Sequence, residues 1–107
     1  MAVNKDDRLI EHIREKAAEY ISKESNRTSL LTVTRAELVH NNKKALIFFT
    51  AYPDTMEEEA LKFLKRQRSE LRRYLQDNIR GGFIPTIDFV IDAGEKNRQR
   101  LDEISRN

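Results

Sequence analysis

Cysteine and tryptophan are absent from this 107-residue chain, glycine occurs three times and proline twice. The lack of cysteine excludes a disulfide framework, a thiolate zinc site and a cysteine nucleophile, and suits a reducing compartment. No window approaches the ~18 apolar residues of a membrane span, and Met1 to Arg8 carry no apolar signal core, so a cytoplasmic protein without membrane contact is expected. Neither sign of charge dominates, with 20 Lys and Arg against 18 Asp and Glu and a net charge of only +2. A basic total therefore cannot argue for a nucleic-acid partner; only local clustering can. Internal repeats, linkers and low-complexity segments are missing as well.

What is present suffices for one core. Hydrophobic residues make up 38% of the chain, including five Phe and three Tyr, against 36% charged. That balance implies a single compact domain, 1–107, with heavily solvated helix faces.

Leu9, Ile10, Ile13, Ala17, Tyr20 and Ile21 recur at helical spacing and predict an amphipathic helix from about Asp6 to Lys23, with Asp6 or Asp7 capping its start. Leu30 to Val39 has strand composition, but Leu31 and Val33 share one parity while Ala36 and Leu38 share the other. A bulge near Thr34 or Arg35 reconciles them. His40 to Lys43 reads as a hairpin turn, since Asn tolerates positive backbone angles. In the strand Ala45 to Tyr52, Ala45, Ile47, Phe49 and Ala51 face the core, and Leu46, Phe48, Thr50 and Tyr52 face away. Pro53 ends that strand. Thr55 and Glu58 have capping-box spacing for the next helix, whose first turn carries Glu57, Glu58 and Glu59 where the helix dipole favours them.

That helix, from Met56 to Arg80, would run ~37 Å if straight, against a radius of gyration of ~13 Å for a chain this size. Gln67 and Asn78 interrupt its apolar face. Both facts predict a bend at Gln67 to Ser69, with Ser69 capping a second segment that Gly81 and Gly82 end and with Arg80 in its last turn. Phe83 to Asp92 is a third strand, with Ile87, Phe89 and Ile91 inward and Pro85 marking an unpaired or edge position. Leu101 and Ile104 mark a short helical turn near 95–105. The result is an α+β fold: helix, strand, strand, bent helix, strand, with helices on one face of a three-stranded sheet.

Catalysis finds little support. His12 and His40 are neither paired nor at metal-binding spacing, so no metal, cofactor or enzymatic activity is expected. Many carboxylates have a basic neighbour three or four positions away, as Glu58 has Lys62, Glu70 has Arg66 and Arg73, and Asp77 has Arg73; such pairs contribute ~0.2–0.5 kcal/mol each. The charge between Lys62 and Arg73 is different: Lys62, Lys65, Arg66, Arg68, Arg72 and Arg73 face the single acid Glu70. A solvated, ion-paired helix face is one explanation. Phosphate binding is the other, because most of these bases cannot pair locally and a helix restarting near Ser69 would offer backbone amides beside Arg66, Arg68, Arg72 and Arg73. The open sheet face is a further candidate surface, where Phe48 and Tyr52 could stack bases or, with Leu46, serve a protein-interaction module that binds no RNA.

The chain resembles the ribosome-binding factor A family, which has a type II KH-like fold with a kinked long helix. The resemblance runs from Leu31-Thr-Val-Thr-Arg-Ala-Glu-Leu through Lys44-Ala-Leu-Ile-Phe-Phe-Thr, Glu59-Ala-Leu-Lys-Phe-Leu-Lys-Arg, Leu71-Arg-Arg-Tyr-Leu and Ile84-Pro-Thr-Ile-Asp-Phe to Ile91-Asp and Gly94-Glu-Lys-Asn-Arg-Gln-Arg-Leu-Asp-Glu, and covers essentially the whole chain. The family's usual Ala-x-Gly at the kink is here Gln67-Arg68-Ser69. The resemblance implies a non-enzymatic, monomeric factor that binds the free small ribosomal subunit and assists late maturation and 5'-end processing of its ribosomal RNA, with a part in cold adaptation. Combined with the charge cluster, it places the RNA contacts on Lys65, Arg66, Arg68, Ser69, Arg72, Arg73 and Arg80, with the turn residues Lys43 and Lys44 in support.

Overall fold

The computed structural model describes residues 5–24 and 30–94. Helix α1 spans Lys5–Glu24, strands β1 and β2 span Leu30–Val39 and Lys44–Tyr52, helices α2 and α3 span Glu57–Arg66 and Arg68–Asn78, and strand β3 spans Thr86–Ile91. The expected helical turn near 95–105 lies outside the described residues.

Strand β2 is central, in the order β1-β2-β3. Its alternation builds the core: Ala45, Ile47, Phe49 and Ala51 are all buried, as their spacing implies. β1 pairs with it antiparallel through a turn in which His40, Asn41 and Asn42 all take left-handed backbone angles, φ 53°, 56° and 64°. The register shifts between Val33 and Arg35, leaving Thr34 as the extra residue of a bulge. This moves Ala36 and Leu38 onto the core face with Leu31 and Val33, which resolves the mismatch of parity. The Thr34 hydroxyl donates to Oδ2 of the buried Asp92 at 2.5 Å, so the bulge also fixes the end of β3.

β3 pairs with β2 in parallel. Parallel neighbours need a crossover, and here α2 and α3 supply it. Thr86 begins the pairing by donating its amide to the Lys43 carbonyl at 3.1 Å. Phe83 to Pro85 precede the strand instead of belonging to it, because the Ile84 and Pro85 carbonyls are taken by a side chain of α3. Against the sheet pack Ile13, Ala17 and Ile21 of α1, Ala60 and Leu64 of α2, and Leu71 and Leu75 of α3. Phe49 and Phe89 meet edge to face, 6.3 Å between centroids, at the centre.

The long helix is broken, as expected, but at Gln67 and without glycine. Gln67 stays at φ −91°, ψ 0°; its amide turns back to the Leu64 carbonyl at 2.9 Å, and its own carbonyl accepts Leu71 N–H at 2.8 Å to start α3. Its polar side chain sits on the apolar face because Tyr20 donates a hydroxyl to it at 2.7 Å across the α1 contact. Asn78 likewise turns back to the Tyr74 carbonyl at 2.8 Å.

Several local expectations are corrected. Ser69 does not cap: α3 begins at Arg68, so Ser69 is already inside it, and no side chain caps Gln67. The Thr55–Glu58 capping box does not form, since a 3-10 turn over Asp54–Met56 absorbs Thr55 and α2 starts at Glu57 without a side-chain cap. Arg80 lies beyond the helix, which ends at Asn78 with Ile79 extended; Gly81 and Gly82 then turn the chain at φ 74° and 87°. Asp6 and Asp7 occupy the first turn of α1, within the helix.

Candidate nucleic-acid interface

The start of α3 lies beside the first residues of β2 and β3. Lys44, Arg68, Ser69, Arg72, Thr86 and Ile87 together line an open groove of about 430 Å³. The break at Gln67 brings Arg68 and Ser69 to this position, and the parallel register, which pairs Lys44 with Thr86, brings the β2 lysine beside them. Four of the nine residues expected to contact RNA therefore share one surface. Lys65 approaches it through Asp88. Arg66 lies elsewhere, in a cleft with Lys62 and Phe63, and Arg80 in a third, near Arg8 and His12. Lys43 and Arg73 are exposed outside these clefts.

The charges in and around the groove are not equivalent. Asp88 of β3 accepts from Lys65 Nζ at 3.1 Å and from Arg68 Nη1 at 3.3 Å, and takes the Phe89 amide at 2.9 Å. Burial opposes ionisation of this carboxyl, but the Lys65 bond, the Phe89 amide and the nearby Arg68 outweigh it and hold its pKa below the ordinary value. Arg72 serves a different purpose. It donates from Nη2 and Nε to the Ile84 carbonyl at 2.8 and 3.2 Å, and from Nε to the Pro85 carbonyl at 3.2 Å. These bonds tie the approach to β3 onto α3, so Arg72 shapes the groove as well as charging it. Lys43, Lys44, Arg66, Arg73 and Arg80 make no ion pair among the described residues. The helix pairs expected from spacing, Glu58 with Lys62, Glu70 with Arg66 or Arg73, and Asp77 with Arg73, are likewise absent among the described residues; exposed chains separated by solvent gain little from meeting.

Asp88 is the residue that spacing arguments missed. It is the single acid between Phe83 and Ile91, and an acid in an edge strand near a basic helix is the signal that points to it. Its replacement separates two effects. Asp88→Asn should bind a polyanion about fivefold more tightly, the ratio for removing roughly 1 kcal/mol of competing charge in water, while reducing stability by up to ~1 kcal/mol. The lowered pKa makes the wild-type contribution complete above the unfolded carboxyl value and removes it as pH falls through the folded one. Urea unfolding of wild type and Asp88→Asn should therefore converge as the pH is lowered through that range; curves that remain parallel would exclude the coupling.

The open sheet face differs from expectation at Phe48. Arg35 stacks on that ring, 3.8 Å from guanidinium carbon to centroid, and also pairs with Glu37 and, at 3.6 Å, with Asp92. Phe48 is half-buried beneath this network instead of presenting a bare face for a base. Tyr52 and its register partner Leu30 remain 73% and 67% exposed. No group of histidine and acidic residues could hold a metal, and no helix is long and apolar enough to cross a membrane, among the described residues.

Comparison with known proteins agrees with this architecture. The family model for ribosome-binding factor A matches residues 5–105. Ribosome-binding factor A of Corynebacterium kroppenstedtii is 31% identical over 88 residues, 78% of this chain and 57% of that protein. The factor from an Arthrobacter species is 31% identical over 77 residues, 71% of this chain and 46% of its own. The chain thus spans about half the length of the curated relatives it matches. The crystal structure of ribosome-binding factor A from Thermus thermophilus shares the fold, with a TM-score of 0.71 and 24% identity over 83% of this chain and 97% of that one. A Thermus thermophilus ribosome-binding factor A homology model fitted into the cryo-electron microscopy map of its 30S complex aligns with a TM-score of 0.67 and 25% identity, covering 78% of this chain and 90% of that one. By the match across residues 5–105 and the identity with these relatives, the chain belongs to the ribosome-binding factor A family.

Proposed function

We propose that this chain is a non-enzymatic assembly factor that binds the free small ribosomal subunit as a monomer in the cytoplasm and assists late maturation and 5'-end processing of its RNA. The observation that carries the reading is the groove at the helix break, where Lys44, Arg68, Ser69 and Arg72 converge from a strand and a helix. Family membership and the 30S complex of the Thermus thermophilus factor support the same partner.

The geometry suits RNA backbone better than base edges. Lys44 and Arg68 are point and planar donors respectively, and the Ser69 hydroxyl adds a neutral one, all on an open surface that a phosphate chain could cross. Lys65 joins them once a phosphate competes with Asp88 for its ammonium group. Arg66, Arg73, Arg80 and Lys43 widen the positive field around this point and steer association. Arg35 over Phe48 leaves less of the sheet face for stacking, which favours the groove over that face.

Salt dependence tests the assignment. Removing one phosphate-binding side chain should flatten the log–log salt slope of small-subunit binding by ~0.7–0.9. Lys44→Ala and Arg68→Ala should each do so, and together they should flatten it by about twice as much. Full affinity and an unaltered slope in the double variant would place the RNA contacts elsewhere.

A further inference from the structure

The loop after α3 borders a second cleft, of about 400 Å³, that the groove does not include. Arg8, Leu9 and His12 of α1 form one side; Ile79, Arg80 and Phe83 form the other. Phe83 is 61% exposed although it is a large aromatic in a chain with only eight. Gly81 and Gly82 carry the chain past it, and a Cβ built on either would meet nothing within 4 Å. Their backbone is therefore open to an approaching ligand. The rim is cationic: Arg8 and Arg80 make no ion pair among the described residues, while the one acid in the lining, Asp6, already accepts Asn42 Nδ2 at 3.0 Å. Arg72 joins the two surfaces, because it lines the groove and its guanidinium carbon lies 5.9 Å from the Phe83 ring centroid.

We propose that this cleft is a subsite for one unstacked base of single-stranded RNA, which stacks on Phe83 while Arg80 and Arg8 hold the adjoining phosphates. An aromatic platform flanked by unpaired cations is how single strands are held without sequence preference, since every base has a π-face and every nucleotide a phosphate. An apolar peptide would satisfy Phe83 and leave both arginines unused. A duplex would satisfy the arginines and could not reach the ring, its bases being stacked inside. The subsite rests on the RNA-binding reading above, and extends a strand from Arg68 and Ser69 past Arg72 to Phe83.

The absence of tryptophan makes the test direct. Phe83→Trp introduces the only tryptophan, at an exposed position that should not disturb the core. Titration with an unlabelled single-stranded RNA of mixed sequence, about ten nucleotides long, should quench its emission at saturation. Phe83→Ala should bind the same RNA about 5- to 150-fold more weakly, the range for removing one stacked aromatic, while Phe83→Trp retains wild-type affinity and binding of a fully paired duplex of equal charge is unchanged in both. Arg80→Ala should weaken single-strand binding and flatten its salt slope. If the tryptophan emission is unaffected at saturation and Phe83→Ala binds as the wild type does, the subsite is wrong and the groove stands. If wild-type protein binds small subunits but not the single strand, the subsite is again overturned alone. If it binds neither, the subsite and the proposed function fall together.

Discussion

Leu71→Ala should destabilise the protein by about 2–5 kcal/mol, the range for truncating a fully buried leucine, and in doing so should disorder the groove. Leu71 has no exposed surface, and it is the first core side chain after the break in the long helix. Its amide closes the first turn of α3 on the Gln67 carbonyl. Without that side chain, Arg68 and Ser69 are held only by polar contacts on a helix start that lacks a side-chain cap. Against a total stability of ~5–15 kcal/mol, the loss is a large fraction. Ser69→Ala, two positions earlier and exposed, should stay within ~0.5 kcal/mol of the wild type. Urea denaturation of the pair measures the contrast. A Leu71→Ala loss as small as that of Ser69→Ala would mean that α3 is not anchored as described.

Arg72→Ala should act on stability and binding together. Its guanidinium satisfies the carbonyls of Ile84 and Pro85, both buried residues just before β3. Removing a charged donor from such acceptors costs about 1–3 kcal/mol, or roughly 4–8 °C of melting temperature per kcal/mol in a domain near this size. Arg72→Lys should recover little of this. One ammonium cannot reproduce a planar fork that reaches two carbonyls at once. A salt-slope change in an Arg72 variant would therefore mix the removal of a proposed phosphate ligand with a displaced loop, whereas Lys44, which makes no ion pair among the described residues, reports on the proposed contact more cleanly. Thermal melts of both variants check the point; an Arg72→Lys melt equal to wild type would show that charge alone is needed there.

Local pattern carries most of the fold. The buried alternation of Ala45, Ile47, Phe49 and Ala51 depends on neighbours two apart, and the bulge at Thr34 shows as a parity error in the strand itself. The helix break is visible through Gln67, a polar residue on an apolar face, because a glutamine placed there needs a partner such as the Tyr20 hydroxyl. Helix boundaries are less legible. Thr55 and Ser69 both have capping chemistry, yet a 3-10 turn and a bend at Gln67 decide where α2 and α3 begin, and both depend on how the preceding strand and α1 place the chain. The parallel pairing of β2 with β3 is a property of the crossover as a whole.

For the candidate site, charge density draws attention to the broken helix but does not give the role of each charge. Lys65 and Arg68 meet an acid 23 and 20 positions away respectively, and Arg72 meets two carbonyls on the approach to β3. Spacing along one helix cannot reveal such partners. Lys44 reaches the same groove through strand register, for which its neighbours in sequence carry no signal.

Cosedimentation with purified small ribosomal subunits at moderate salt, comparing the wild-type chain with the Lys44→Ala/Arg68→Ala double variant, tests the proposed groove most directly. The wild type should pellet with the subunits and the folded double variant should remain largely in the supernatant. A wild-type chain left in the supernatant, or a double variant that pellets as well as the wild type, would contradict it.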